Sequence, residues 1–239
     1  MSNSPHTAPT PAPLSMQIIA RIHTGFSTKF GVPRQSGLVP ALRAQIILEP
    51  PFRNPDALRG IEDFSHLWLI WQFSKAVRDH WSPTVRPPRL GGNTRMGVFA
   101  TRSPFRPNAI GLSSVKLEGV QWNTPEGPVL LVSGADLMDG TPILDIKPYL
   151  AYTDSHPEAT GGFTDQVARQ ALQVVCPPEL LKPVPAESRE GLLGVLACDP
   201  RPSYQNDPER IYGMCFAGCN VRFRVVDQVL TVLEITPTP

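Results

Sequence analysis

The feature that most limits the fold of this chain is the way proline and glycine divide it into short apolar runs. The 239 residues include 28 prolines and 18 glycines. Because proline donates no backbone hydrogen bond and disrupts helix interiors, frequent prolines favour short strands and turns over long helices. Seven apolar or alternating segments lie between these breaks: 17–23, 44–48, 66–73, 96–101, 113–122, 128–133 and 142–146. Their lengths and spacing predict a single sheet that closes on itself into a β-barrel.

Helical signals are confined to two short segments. Residues 54–64 carry apolar side chains at helical spacing, and residues 164–175 add a threonine that suits a helix N-cap. Near the C-terminus, residues 220–235 alternate between apolar and polar around Asp227 and Gln228. That alternation predicts a terminal β-hairpin.

The chain is predicted to be mainly β, and α+β overall. Residues 1–15, rich in proline and threonine, are expected to form a disordered tail. A barrel domain is predicted over 16–155. The Gly-Gly break and the proline-rich connector that follow predict a small C-terminal α+β domain over 156–239.

The overall composition is that of a soluble globular protein. Hydrophobic residues make up 41% and charged residues 18%, and 22 Lys+Arg nearly balance 21 Asp+Glu. No apolar run approaches the roughly 18 to 20 residues that a transmembrane helix needs. Residues 1–15 lack the basic and apolar regions of an export signal. We therefore predict a cytoplasmic protein without membrane contact.

Metal and common nucleotide-binding motifs are missing from the sequence. The four cysteines, at 176, 198, 215 and 219, include no Cys-x-x-Cys pair, and no histidine follows His156. This spacing does not suit zinc, so free thiols and no bound metal are predicted. Neither a Gly-x-Gly-x-x-Gly turn after a strand nor a P-loop occurs, so a doubly wound nucleotide-binding fold is not indicated.

Positive charge is concentrated in one part of this almost neutral chain. Seven cationic side chains accompany a single acid, Asp79, between positions 75 and 106: Lys75, Arg78, Arg86, Arg89, Arg95, Arg102 and Arg106. Such an excess is typical of surfaces that bind phosphates or nucleic acids. Two prolines fix the loop 103–108, which carries Arg106, after the predicted strand 96–101. The alternative is that Arg102 and Arg106 are ordinary solvated loop charges.

Carboxylates cluster farther along, in segment 139–149. Gly140 permits the positive φ of a tight turn after Asp139. Strand alternation predicts that Ile143, Asp145 and Lys147 share one face, opposite the residues at 144 and 146. Asp139 or Asp145 suits binding of a ribose or acceptance of a proton. The alternative for Asp145 is a purely structural ion pair with Lys147.

Five blocks of the sequence resemble one known family. They are 29–35, 60–68 (GIEDFSHLW), 84–111 (TVRPPRLGGNTRMGVFATRSPFRPNAIG), 139–150, and the C-terminal pair 199–204 (DPRPSY) and 220–225 (NVRFRV). Together they span nearly everything after residue 16, and block 84–111 is long and specific. They resemble the TsaA/TrmO-type family of S-adenosylmethionine (SAM)-dependent tRNA (adenine-N6)-methyltransferases, which act on position 37.

The resemblance implies a SAM-binding barrel, a small C-terminal domain and a homodimer whose interface helps to form the site. By position, the cofactor is expected to contact Pro33, Arg34, Gln35, Ser74, Lys75, Arg102, Leu112, Asp139, Gly140, Thr141 and Pro142. The catalytic residues beside the transferred methyl group are expected to be Asp139, Asp145, Lys147 and Tyr149. Many relatives have a His-Gln pair where this chain has Ser74 and Lys75, and Lys75 is expected to pair with the cofactor carboxylate.

The implied reaction is methylation of N6 of threonylcarbamoyl-adenosine at position 37, in the anticodon loop of tRNA. An exocyclic adenine amine is a weak nucleophile, so transfer requires alignment and a proton acceptor, for which Asp139 or Asp145 is suited. The threonylcarbamoyl carboxylate suits Arg95 or Arg106. The residues expected to contact RNA are Arg78, Arg86, Arg89, Arg95 and Arg106. Lys75 is a further candidate for contact with the tRNA backbone.

Two other functions remain open at this stage. A non-catalytic barrel that senses SAM or a nucleotide and grips RNA would show salt-dependent RNA binding without turnover. A nucleotide hydrolase would need a metal held by carboxylates, for which Asp136, Asp139 and Asp145 are the only close set.

Overall fold

The computed structural model describes residues 13–91, 93–165, 171–202 and 207–238. Positions 1–12 of the predicted tail lie outside these ranges. The regular elements, in chain order, are β1 (Ala20–His23), β2 (Arg43–Leu48), β3 (His66–Gln72), β4 (Thr84–Val85), β5 (Met96–Gly97), β6 (Ile110–Gln121), β7 (Val129–Ser133), β8 (Thr141–Pro148), α1 (Ala151–Asp154), β9 (Gln173–Val175), α2 (Arg189–Ala197), β10 (Ile211–Phe216), β11 (Cys219–Val226) and β12 (Val229–Pro237). Within the described ranges, no helix has the length and apolar character to cross a membrane.

Six antiparallel strands form a closed barrel in the order β1-β2-β7-β6-β3-β8, and β8 pairs back onto β1. Alternate side chains fill its interior, as β3 illustrates with Leu67, Leu69 and Trp71 pointing inward. Closure leaves the barrel without an open edge. The predicted single-sheet barrel is therefore confirmed.

A second apolar core is built by α2 and a four-stranded sheet in the order β10-β11-β12-β9. The predicted terminal hairpin is confirmed: β11 pairs with β12, and Asp227 has the positive φ of 52° that a tight turn requires. This core also contains Phe26, Val39 and Leu42. The segment between β1 and β2 is therefore packed into the C-terminal unit.

The first predicted helix is wrong. Residues 54–64 form two 3-10 turns, Pro55–Leu58 and Ile61–Asp63. Gly60 lies between them with φ of 81°, in the left-handed region, which ends any helix. The apolar spacing reflects contacts of Leu58 with the barrel core instead.

The second predicted helix is also wrong where it can be compared. Residues 166–170 of segment 164–175 lie outside the described ranges, and Gln173–Val175 forms β9, parallel to β12. The helix of the C-terminal unit, α2, forms later in the chain and contains Gly191 and Gly194, which lower its intrinsic helix propensity. A Cβ on Gly194 would lie 2.6 Å from Val39, so these glycines permit close packing against segment 39–42.

The strand predicted over 96–101 is shorter than expected. Only Met96–Gly97 pairs, with Thr84–Val85, and Val98–Ala100 then forms a 3-10 turn. Val98 is buried and its N–H donates to the Pro83 carbonyl at 2.9 Å. The arginine-rich segment is thus a small two-stranded lobe outside the barrel.

Candidate functional site

A cavity of about 530 Å³ opens at one end of the barrel, where β3 ends and β6 and β8 begin. Its volume lies within the usual range for small-molecule sites, roughly 300 to 1,000 Å³. Eight of the eleven residues predicted to contact the cofactor line it: Pro33, Arg34, Gln35, Ser74, Lys75, Arg102, Leu112 and Thr141. The sequence blocks that are far apart along the chain are therefore brought together here.

The floor of the cavity is the indole of Trp71 at the end of β3. Trp71 is only 7% exposed, and the ring of Phe73 lies against it with 4.2 Å between centroids. Gly111 on β6 is paired with Trp71, and a Cβ there would meet the indole at 2.3 Å. Only glycine at 111 leaves room for the indole at this point.

A short hydrogen-bonded chain leads from this indole to a carboxylate. Trp71 Nε1 donates to Ser113 Oγ at 3.0 Å, and the Ser113 hydroxyl donates to Asp136 Oδ1 at 2.6 Å. Ser113 is buried, and each group in the chain has a partner. The arrangement fixes the position of the Asp136 side chain.

Asp136 is the one acidic residue in the cavity lining as described. Burial raises the pKa of its carboxyl, while the Ser113 hydrogen bond and the charge of Arg102 act in the opposite direction. The same lining contains five cations: Lys29, Arg34, Lys75, Arg102 and Arg106. From the sequence, Asp136 is a candidate only as a member of the carboxylate set with Asp139 and Asp145. Its place three residues before the Asp139–Gly140 turn was the signal available.

The loop 29–36 is held from two sides. Arg102 Nη1 donates to the side-chain oxygen of Gln35. Arg34 Nη2 donates to the Arg201 carbonyl in the C-terminal unit at 3.2 Å. Gly31, with φ of 93°, lies against Met214 of that unit. The C-terminal unit thereby positions one wall of the cavity.

The turn that directly precedes β8 has the predicted form. Gly140 adopts φ of 71°, which confirms the tight turn. The Asp139 carboxylate accepts the Thr24 N–H at 3.0 Å and lies 3.2 Å from His23 Nδ1. Its neighbours Met138 and Thr141 line the cavity, whereas Asp139, Gly140 and Pro142 do not. Asp139 therefore lies at the edge of the cavity with its carboxylate tied to β1.

A β-bulge changes the predicted faces of β8. Ile143 pairs with Trp71, but Asp145 pairs with Ile70, so one extra residue lies between them. Ile143 is consequently inside the barrel and fully buried, while Asp145 and Lys147 point outward. The prediction that these three side chains share one face is wrong for Ile143.

Asp145, Lys147 and Tyr149 therefore lie on the outer surface of the barrel, away from the cavity lining. Lys147 Nζ lies 2.8 Å from Asp145 Oδ2, which is the ion pair that the structural alternative expected. Tyr149 packs on the ring of Trp68 with 5.4 Å between centroids. Asp154 accepts hydrogen bonds from the Leu150 N–H and from Trp68 Nε1, and these two bonds lower the pKa of its carboxyl.

The predicted RNA-contacting arginines differ in their surroundings, and the side chain of Arg89 lies outside the described part of the structure. Arg106 lines the cavity, and its Nη1 donates to the Thr101 carbonyl at 2.9 Å. The Arg78 guanidinium lies 3.5 Å above the Phe105 ring. Arg86 and Arg95 are exposed. No cluster of three or more residues suited to holding a metal occurs among the residues that the structure describes.

Comparisons with known proteins agree with this arrangement. The family model for the tRNA-methyltransferase O N-terminal domain matches residues 21–155, and the model for the TrmO C-terminal domain matches residues 166–238. The chain is 42% identical over 227 residues to the Escherichia coli tRNA (adenine(37)-N6)-methyltransferase, covering 92% of this chain and 96% of that protein.

Two further relatives extend the comparison. The Pseudomonas aeruginosa protein named "Putative S-adenosylmethionine-dependent methyltransferase RcsF" is 44% identical over 213 residues, covering 84% of this chain and 87% of that one. A crystal structure of TrmO from Pseudomonas aeruginosa superimposes with a TM-score of 0.74 at 33% identity, covering 94% of this chain and all of that one.

The barrel, its cavity and these relatives define a SAM-dependent methyltransferase. The chain belongs to the TrmO family of tRNA methyltransferases. The predicted family and cofactor are confirmed.

The cavity fits that cofactor chemically. SAM carries a carboxylate, a cationic sulfonium and a planar adenine. The lining offers cations, the single carboxylate of Asp136, and the apolar surfaces of Trp71, Phe73 and Leu112.

Proposed function

We propose that this protein acts in the cytoplasm and methylates N6 of N6-threonylcarbamoyladenosine at position 37 of tRNA. The observation that carries the proposal is a cavity with five cations and one carboxylate beside an arginine-rich lobe. Two carboxylates must be bound there, one from the cofactor and one from the threonylcarbamoyl group, and cations serve both. When bound, SAM supplies an electrophilic methyl group.

The cofactor contacts follow from the lining. We assign the eight lining residues named above to SAM binding, with Asp139, Gly140 and Pro142 shaping the turn beside them. Lys75 is exposed at the rim, where it suits the cofactor carboxylate. Arg95 or Arg106 is assigned to the threonylcarbamoyl carboxylate. Arg78, Arg86 and Arg89 are assigned to the tRNA backbone.

Asp136 is our candidate for the residue that accepts the proton that leaves N6 of the substrate. Sequence reasoning favoured Asp139 or Asp145, but the carboxylate of Asp139 is tied to β1 and Asp145 lies outside the barrel. Asp136 lines the cavity, and its raised pKa makes it a better base than an exposed aspartate. The Ser113 hydroxyl holds it in place.

The outer-face residues acquire a role if the protein is a homodimer. Asp145, Lys147 and Tyr149 cannot reach the cavity of their own subunit through the barrel wall. In a twofold dimer each subunit presents the same surface to the other, so this face can close the partner's cavity. We propose such a dimer, with Asp145, Lys147 and Tyr149 completing the site in trans.

The shared site predicts complementation. Asp136→Asn and Asp145→Asn proteins should each retain only a small residual rate. A mixture allowed to exchange subunits should regain about a quarter of the wild-type rate, because half of the dimers then contain one intact site. Methylation assays on exchanged and unexchanged mixtures measure this. Failure of an exchanged mixture to exceed its two components would exclude a site shared between subunits.

The substrate is tested with labelled SAM and tRNA from cells with and without the threonylcarbamoyl modification. We expect a mass gain of one methyl group only on modified adenosine 37. Unmodified adenosine has no carboxylate to pair with the cations of the cavity. Nucleoside mass analysis gives the answer. Equal methylation of both tRNAs would contradict the threonylcarbamoyl requirement. Salt-dependent binding with no mass gain on either would support the non-catalytic alternative.

A further inference from the structure

Two large aromatic side chains are exposed together on the arginine-rich lobe. Trp81 is 52% exposed and Phe99 is 72% exposed, yet their rings lie 6.1 Å apart and only 30° from parallel. Pairing of Thr84–Val85 with Met96–Gly97 brings the two segments together. Aromatic residues of this size are usually much more buried. A paired, solvent-facing arrangement of this kind suits a flat ligand.

The charge around the pair identifies the ligand class. Lys75–Arg106 holds seven cations and one acid, and Arg78, Arg86 and Arg95 are all exposed. Such an excess of positive charge is typical of surfaces that bind nucleic acids. Single-stranded nucleic acids combine flat bases with a phosphate at every nucleotide, and proteins bind them with aromatic faces flanked by cations.

Trp81 of this pair also lines a small cavity that adjoins the cofactor cavity. This small cavity of about 120 Å³ is lined by Arg78, Trp81 and neighbouring residues. Ala76, Phe105 and Arg106 line both this cavity and the large one. The loop of Phe105 and Arg106 is therefore a wall between the aromatic pair and the reaction site.

We propose that Trp81 and Phe99 form a stacking platform for an unpaired nucleobase adjacent to the adenosine that enters the cavity. The inference rests on the proposed function, since it places the neighbour of the target nucleotide. The platform holds the anticodon loop of the RNA open beside the cavity, and the arginines contact the flanking phosphates. Stacking is tolerant of base identity, so the platform contributes affinity and orientation more than sequence choice.

The test compares Trp81→Ala and Phe99→Ala with Trp122→Ala, a matched tryptophan that is also partly exposed and whose Nε1 donates to Glu62. Binding of an anticodon stem-loop RNA is measured by fluorescence anisotropy at several salt concentrations. Each platform variant should bind about 5- to 150-fold more weakly. The salt slope should stay unchanged, because no phosphate contact is lost. SAM affinity should equal that of wild type.

Two further variants sharpen the result. Trp81→Phe keeps an aromatic face and should recover most of the affinity. Arg86→Ala should instead reduce the salt slope by about one. Wild-type RNA affinity in Trp81→Ala and Phe99→Ala would overturn the platform. These variants could instead lose the dimer in sedimentation, while the remaining dimer binds RNA with wild-type affinity. That result would assign the surface to protein contacts and would overturn the platform as well.

Failure of the proposed function is distinguishable from failure of the platform. Methylation by the wild-type protein tests the first, and RNA affinity of the variants tests the second. A wild-type protein that binds RNA without methylating it, and loses that binding in Trp81→Ala, would keep the platform and remove the enzyme assignment.

Discussion

Asp136→Asn is expected to lower kcat for methyl transfer by about 100- to 10,000-fold, the usual contribution of a positioned general base. The asparagine oxygen can still accept the Ser113 hydroxyl, so the fold and the chain from Trp71 should persist. What is lost is the capacity to accept the proton that leaves N6 of the substrate. Single-turnover assays with saturating SAM and modified tRNA measure the rate, and calorimetry measures SAM affinity separately.

The pH profile separates a catalytic role from a structural one. Burial raises the pKa of Asp136, so the wild-type rate should fall as pH decreases through a value above the ordinary range for aspartate. That acid limb should be missing from the residual activity of Asp136→Asn. Asp56→Asn, at an exposed ion pair with Arg59, is the matched control and should keep the wild-type profile. A wild-type kcat in Asp136→Asn would transfer the role to another group.

Gly111→Ala is expected to weaken the affinity for SAM, because the added methyl group would lie 2.3 Å from the Trp71 indole. The indole must then move into the cavity or distort its hydrogen bond to Ser113. Overpacking of this kind costs about 1 to 3 kcal/mol of unfolding free energy. We expect that loss in urea unfolding, together with at least a tenfold weaker affinity for SAM, about 1.4 kcal/mol of binding free energy.

Gly97→Ala is the control for the change itself. A Cβ at Gly97 meets nothing within 4 Å, so this variant should unfold and bind SAM nearly as wild type does. Equal unfolding free energy and equal SAM affinity of the two variants would mean that the Trp71 indole is not a fixed floor of the cavity. Retained stability with lost binding would instead show that the indole moves into the space of the cofactor.

Much of the site could be predicted from the sequence because its residues lie in dense local blocks. Arg34, Gln35 and Arg102 were assigned by position to the cofactor, and all three line the cavity. Asp136 was undervalued because nothing local shows that a single carboxylate among hydrophobic neighbours faces a cavity. Trp81 and Phe99 were missed for a related reason, since eighteen positions separate two rings that pair only through a short β-ribbon.

The predicted helices failed where packing overrode local pattern. In segment 54–64, Gly60 prevents a continuous helix. In segment 164–175, residues 173–175 form a strand because they pair with β12. On β8, alternation was correct up to a single bulged residue. That one insertion turned Asp145 and Lys147 outward, because strand side chains alternate with a period of two.

The sequence by itself determined the barrel, the terminal hairpin, the family and eight of the residues that line the cofactor cavity, because proline and glycine breaks and dense motifs are local signals. The tertiary structure alone decided which carboxylate enters the cavity, which face of β8 carries Asp145, and which aromatic rings meet on the arginine-rich lobe. Those outcomes depend on strand register and on contacts between distant segments, which a one-residue shift can reverse.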